Sequence, residues 1–441
     1  MHLASPRKAW SKMTNRKLWQ KIAAVSAAGV LLLSAGCTKG STGAGGDSNT
    51  IKLWTHNAGN EKELAAGQEI VDDFNASQDK WKVEVQAFPQ DSYNQSVVSA
   101  ASSKSLPCIL DVDAPNVPNW AWAGYLAPIE GLDERLSEFL PSTVGRYNDK
   151  IYSYGHYDVA LTMVARKSVL EAAGIRVATV EQPWNKDELM DALSKLKATS
   201  NYEYVLDMGT GGSGEWWPYA FSPFLQSFGG DLVNRDNYES AEGVLNGPGA
   251  LAWGNWLQTL VNEGYMAKKS GTDSTLDFVN GKTALMWNGG WAAKDTREAF
   301  GDDVVFMPPP DMGKGPKIGG GSWQWALSSG CSNPEAAQEF MKFMAQDKYV
   351  VSLATATKTI PTTATAAQSV EGYATGGENE IFRQLSEKFT VVRPATPGYP
   401  FMATEFEKMT QDIINGADVQ TALNAAVKNI DANQKSNNYF K

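Results

Sequence analysis

Histidine is nearly missing from this chain of 441 residues: His2, His56 and His156 are the whole supply. No two of them stand at the spacing of a histidine-built zinc site, so no such metal centre and no cofactor is expected, although a carboxylate-held calcium is left open. Basic residues are also short, 39 against 49 acidic, for a net charge of −10. Six of them (Arg7, Lys8, Lys12, Arg16, Lys17 and Lys21) fall in the first 36 residues, which contain no acid; without that segment the balance is −16. Such a body lacks the basic footprint of a nucleic-acid binder, and its partner should be neutral or cationic. A phosphate loop is missing too. "GKT" at 281–283 has the right ending, but Leu276 stands where the first glycine is required, which argues against an ATPase.

What is present begins with an export signal over 1–36. A basic region ends at Lys21 and is followed by the apolar run "IAAVSAAGVLLLSAG", Ile22 to Gly36, which at 15 residues is short for a membrane span. "LSAGC" then resembles the lipobox of a bacterial lipoprotein precursor, which would make Cys37 the acylated N-terminus of the mature protein; Ser34 departs from the aliphatic residue usual at its position. Residues 37–50, Gly/Ser/Thr-rich and without apolar periodicity, read as a flexible tether. A globular body held at the extracellular face of the membrane follows. Cys108 and Cys331 remain, in an oxidising compartment, either paired or as buried free thiols.

From Thr50 strand and helix patterns alternate. "IKLW" (51–54) is a strand; Leu64, Val71 and Phe74 share a helical face; "VEVQAF" (83–88) has period two. A second helix carries Tyr93, Val97 and Ala101, and "CILDVD" (108–113) closes the series. This β-α-β-α-β order predicts an α/β fold with a parallel sheet, and the length predicts two lobes. Near the C-terminus Val419, Leu423, Val427 and Ile430 lie on one face of a helix. No internal repeat and no long linker follows residue 50. In open α/β sheets ligands sit at the carboxyl ends of strands, which singles out His56 and Asn57 after the first strand and Asp113 and Asn116 after the third. Asn and Asp also serve routinely as turn and cap residues.

Six segments in order, among them "IKLWTHNAGNEKELAAGQEIVDDFNA", "FVNGKTALMWNGGWA", "GGGSWQWALSSGCSNPEAAQEFMKFM" and "RPATPGYPFMATEF", make residues 50 to 441 resemble the extracellular solute-binding proteins of bacterial ABC transporters. The likeness is to family 1, the carbohydrate-binding branch that includes maltose-binding protein. It implies a two-lobed periplasmic-binding-protein-like fold of type II, with the ligand cleft between lobes joined by hinge crossings near 156–160, 321–326 and 370. The lobes would be 51–158 with 326–370, and 159–325 with 371–441. It also implies a non-enzymatic, monomeric protein that closes on an oligosaccharide and delivers it to permease subunits.

Tryptophan is abundant, 15 residues, and flat rings match the C–H face of a pyranose while planar polar groups match its hydroxyl rim. In "GGSGEWWPYAF" adjacent positions point apart by about 100° on a helix, so Trp216 is assigned to the sugar and Trp217 to the core. The resemblance adds Trp291 of "NGGW" as a stacking ring, Trp323 on the middle crossing, Tyr399 and, less directly, Phe401. The polar set is His56, Asn57, Asp113, Asn116, His156, Asp158 and Glu215. Asp113, Asp158 and Glu215 would also be the acids of a surface glycoside hydrolase, and a peptide is the alternative ligand.

Overall fold

A computed structural model describes residues 49–440. The signal segment and the lipidation site Cys37 lie outside the described residues. The chain opens as its periodicity predicts. Strand Thr50–Thr55 pairs in parallel with Lys82–Ala87 on one side and Ile109–Asp113 on the other, with helices Glu61–Ser77 and Gln90–Ser102 as crossovers. The sheet does not stay parallel. Trp323–Ser328 adds antiparallel to Ile109–Asp113, in a register that sets Trp323 opposite Asp113, and Lys150–Tyr154 and Val144–Tyr147 extend it further. Cys108 and Cys331 flank this antiparallel pair and are bonded to each other, which settles the choice that the sequence leaves open.

The second lobe is built on a four-stranded sheet in the order Val304–Met307, Leu161–Arg166, Leu285–Gly289, Leu206–Asp207. Each sheet has its own apolar core. Ile51, Leu53, Phe74 and Phe340 centre the first; Trp217, Phe221, Trp253, Trp287 and Phe406 centre the second, together with Leu423, Val427 and Ile430 of the C-terminal helix.

The chain leaves the first sheet after Tyr154 and enters the second at Leu161, through the short strand Tyr157–Asp158, which pairs with Ile360–Pro361. It returns between Ile318–Gly320, which pairs with Thr390–Val392, and Trp323. Trp323, Gln324 and Trp325 thus belong wholly to the first sheet, and the turn between lobes falls on Gly321 and Ser322 rather than on 321–326. Of the three glycines there, Gly321 has the positive φ, 92°, open to a residue without a Cβ. Gly319 and Gly320 serve close packing: a Cβ on them would stand 2.4 Å from the Tyr219 carbonyl oxygen and 2.0 Å from Thr390 Cγ2.

Candidate ligand cleft

The helix Trp216–Ser227 begins on the tryptophan pair, and the two rings part as helical geometry requires. Trp217 is 1% exposed, stacks on Phe221 at 4.7 Å between centroids, and donates its indole N–H to Gly212 O at 3.1 Å. Trp216 is half-buried and donates to Met208 O at 3.2 Å. Its ring lies on glycine backbone: a Cβ at Gly209 would come within 2.5 Å of Trp216 Nε1 and one at Gly212 within 2.7 Å of Cδ1. Trp291 meets Trp216 edge to face at 6.4 Å, stacks on Tyr219 at 6.5 Å, and is 41% exposed. Beside Trp216 and Trp291 opens a cavity of about 450 Å³ whose polar rim includes Asp273, Ser274, Asn288 and Asp295. Trp217 is thus a core ring and Trp216 a ring at a cavity wall.

Behind these rings is a buried cation that the sequence reading passed over. Arg393 lies with its guanidinium over the Tyr219 ring at 4.9 Å and donates to Gly320 O at 2.8 Å. Its Nε is 3.1 Å from Glu215 Oε1, without hydrogen-bond alignment, and its Nη2 is 3.7 Å from Asp113 Oδ1. Because Asp113 stands on the first sheet, Arg393 joins the two lobes. Tyr399 also departs from expectation. It is buried, and instead of presenting a ring face it donates its hydroxyl to Glu215. A third of the Glu215 side chain is accessible, yet its carboxyl end sits among Arg393 and Tyr399. Burial is the leading cause that pushes it up to about 7, with Asp113 adding to the rise and Arg393 and Tyr399 opposing it. Asp113 is likewise raised by burial, against the pull of Arg393 and His56.

On the first lobe His56 stacks flat on Trp323, 3.7 Å between centroids and 4° between planes. One face of Trp323 is thus covered by imidazole. His56 Nδ1 contacts Asp111, and Nε2 is 3.9 Å from Glu63, which also accepts from the Tyr157 hydroxyl at 2.8 Å and from Asn60 Nδ2 at 3.0 Å. Burial alone would lower the His56 pKa, but Asp111, Glu63 and Asp113 outweigh it and hold the imidazole above its ordinary value. Asn57 is buried and accepts from Thr55 Oγ1 at 2.8 Å, while Asn116 is half-buried in the turn after Asp113. The neighbouring Asn119 reaches the other lobe, donating to Pro397 O at 2.7 Å.

Two residues of the predicted set have their polar atoms taken up by protein partners. Asp158 is 0% exposed and accepts from Ser142 and Ser386, each at 2.7 Å, and from the Gly321 N–H at 3.2 Å; it ties the hinge strands together. His156 has both ring nitrogens occupied: Trp325 donates to Nδ1 at 2.8 Å, and Nε2 donates to Met344 O at 2.6 Å. That fixes a neutral tautomer, and burial pushes its pKa down to about 4. Arg393, Tyr219, Asp111 and Glu63 are the site residues that the sequence reading missed. The signal for Asp111 was present, an acid inside the apolar run "CILDVD"; Arg393 had none beyond its place in "VVRPATPGYP".

Residues 69–379 match the model of a family described as bacterial extracellular solute-binding proteins. Maltodextrin-binding protein MdxE of Bacillus subtilis is 25% identical over 349 residues, covering 74% of this chain and 80% of that protein. An uncharacterized lipoprotein of Streptomyces antibioticus, from the oleD 5' region, is 25% identical over 382 residues, 79% of each. Among solved structures the GacH receptor of Streptomyces glaucescens, determined unliganded and with acarbose, superposes with a TM-score of 0.72 at 24% identity, covering 89% of this chain and 99% of that one. The likeness extends over both lobes.

Proposed function

Since the chain belongs to the bacterial extracellular solute-binding proteins, we propose that it captures an oligosaccharide between its lobes and delivers it to the permease of an ABC importer. The observation that carries this reading is the wall formed by Trp216 and Trp291, half-buried and exposed, beside a cavity wide enough for sugar rings. A relative named as maltodextrin-binding and a fold relative solved with acarbose support the choice of ligand class. The lobes are residues 51–158 with the segment that resumes after Ser322, and 159–320 with 371–441. A sugar stacked on the second lobe and hydrogen-bonded to the first favours the closed arrangement through contacts that an open one lacks. Cys37 anchors the protein by its lipid, and the body works as a monomer. Hydrolysis is not part of this function: Asp158 is enclosed, and Asp113 and Glu215 share Arg393.

The test is calorimetric titration of the full chain in detergent with malto-oligosaccharides of increasing length, beside Trp291→Ala. Saturable binding of one saccharide class, weakened roughly 10-fold or more in the variant, is the expected result. Silence toward every saccharide, with binding of a peptide library, would replace the ligand class.

A further inference from the structure

We infer that the captured saccharide lies across Trp291, from the cavity beside Trp216 into a second cavity that the two lobes share, and so is a chain of about four rings or more; this rests on the carbohydrate reading above and extends it. The first observation is the position of Trp291. The helix Ala293–Phe300 follows it directly, and the flanks of this segment face different cavities. Ala292 and Asp295 line the cavity beside Trp216, while Ala293, Lys294, Arg297 and Glu298 line another of about 460 Å³. Trp291 lines both, so its exposed ring is the ridge between them. At the packing density of an organic crystal a hexose unit fills roughly 175 Å³, which gives each cavity room for about two rings.

The second observation is the lining of the new cavity. Lys294, Arg297 and Lys358 are matched by Glu298, Glu371 and Glu378, so the cavity favours neither sign of charge and suits a neutral chain rich in hydroxyls. Lys294 is paired with Glu298 at 3.1 Å, and Arg297 donates to Asn379 Oδ1 at 2.6 Å and to Glu378 O at 2.7 Å. Thr355, Lys358 and Glu371 have no side-chain partner among the described residues. A hydroxyl, an ammonium and a carboxylate are thus left to meet sugar hydroxyls as donors and acceptors. The walls also differ in origin. The cavity beside Trp216 is lined by the second lobe alone, whereas Ala354, Thr355 and Lys358 belong to the first lobe, whose core holds Val350 and Leu353 of the same helix, Asp347–Thr357. A chain that crosses Trp291 therefore gains first-lobe contacts there, and such contacts favour the closed arrangement.

The experiment is calorimetry on the full chain in detergent with malto-, cello- and xylo-oligosaccharides, each series taken from the disaccharide to the pentasaccharide. Within the series that binds, the tetrasaccharide should bind at least about 10-fold more tightly than the disaccharide. Thr355 is exposed on its helix, and Thr355→Trp sets a ring in the second cavity; it should reduce that advantage to below about threefold. Glu371→Ala should lower the advantage independently, and melting curves confirm that both variants are folded. Equal binding of the two lengths, or an advantage that survives Thr355→Trp, overturns the crossing and leaves the carbohydrate reading standing. Failure of every series overturns both.

Discussion

Truncating Trp216 and Trp217 separately should split stability from binding across a single peptide bond. Trp217 is enclosed, stacked on Phe221 and hydrogen-bonded to Gly212, so Trp217→Ala leaves a ring-sized void in the larger core. Substitutions of this kind cost about 3–5 kcal/mol, and the lost indole bond leaves a carbonyl unpaired. Trp216 is half-buried on a glycine bed, with one ring edge against Trp291. Trp216→Ala removes less buried area, worth about 1–2 kcal/mol, but strips a cavity wall. Urea unfolding gives the first quantity and calorimetry on the folded protein gives the second. Trp217→Ala should lower the unfolding midpoint strongly while the protein that remains folded binds saccharide normally. Trp216→Ala should shift the midpoint little and weaken binding by roughly 10-fold or more. The reasoning is refuted if the two variants unfold alike and bind alike.

Replacing Arg393 with Met strands two raised carboxylates, so unfolding stability near pH 8 should fall by about 3–5 kcal/mol; the deficit should shrink toward pH 5 as Glu215 and Asp113 take up protons, and urea titrations at both values would show it. His156, held neutral with a pKa near 4, supplies stability that is present above the unfolded value of about 6.5 and is lost as pH falls toward 4. His156→Gln should flatten that part of the stability profile, and an unchanged slope would count against the assignment. Removing the Cys108–Cys331 bond by a double alanine substitution, or reducing it, frees a closed loop with a sequence separation of 223 residues and should cost about 2–5 kcal/mol, read as a lower melting temperature. Cys37→Ala should release the protein from membranes, since the proposed anchor rests on that one residue; retention would point to another attachment.

The opening strands and helices were legible because their apolar periods of two and 3.6 report local backbone geometry, and Leu53, Val71 and Phe74 are accordingly in or beside the first core. The antiparallel return of Trp323–Ser328 onto Ile109–Asp113 was not, because its partner lies far off in sequence and a strand buried along nearly its whole length carries no mark of direction. The same limit governs the polar residues. His156 and Asp158 look like ligand groups in one dimension, but burial gives each a full set of protein partners. Arg393 looks like an ordinary loop arginine until folding sets it between Glu215 and Asp113.

The aromatic wall was easier to read for a reason that lies in the backbone. A large ring that must keep one face free needs its other face laid against something flat and close, and peptide without a side chain provides that. Gly209 and Gly212 do so for Trp216, and Gly289 for Trp291, where a Cβ would come within 2.0 Å of the ring. The sequence records both arrangements as glycines shortly before a tryptophan, in "MGTGGSGEWW" and "NGGW". Tyr399 shows the converse: only Gly398 precedes it in "TPGYP", a Cβ there would meet Gln434 rather than the tyrosine, and the ring is buried with only its hydroxyl employed. Where glycine backbone beds the ring, as at Trp216 and Trp291, the ring stays partly exposed beside a cavity; where helix packing surrounds it, as at Tyr399, the ring becomes structure and only its polar tip is employed.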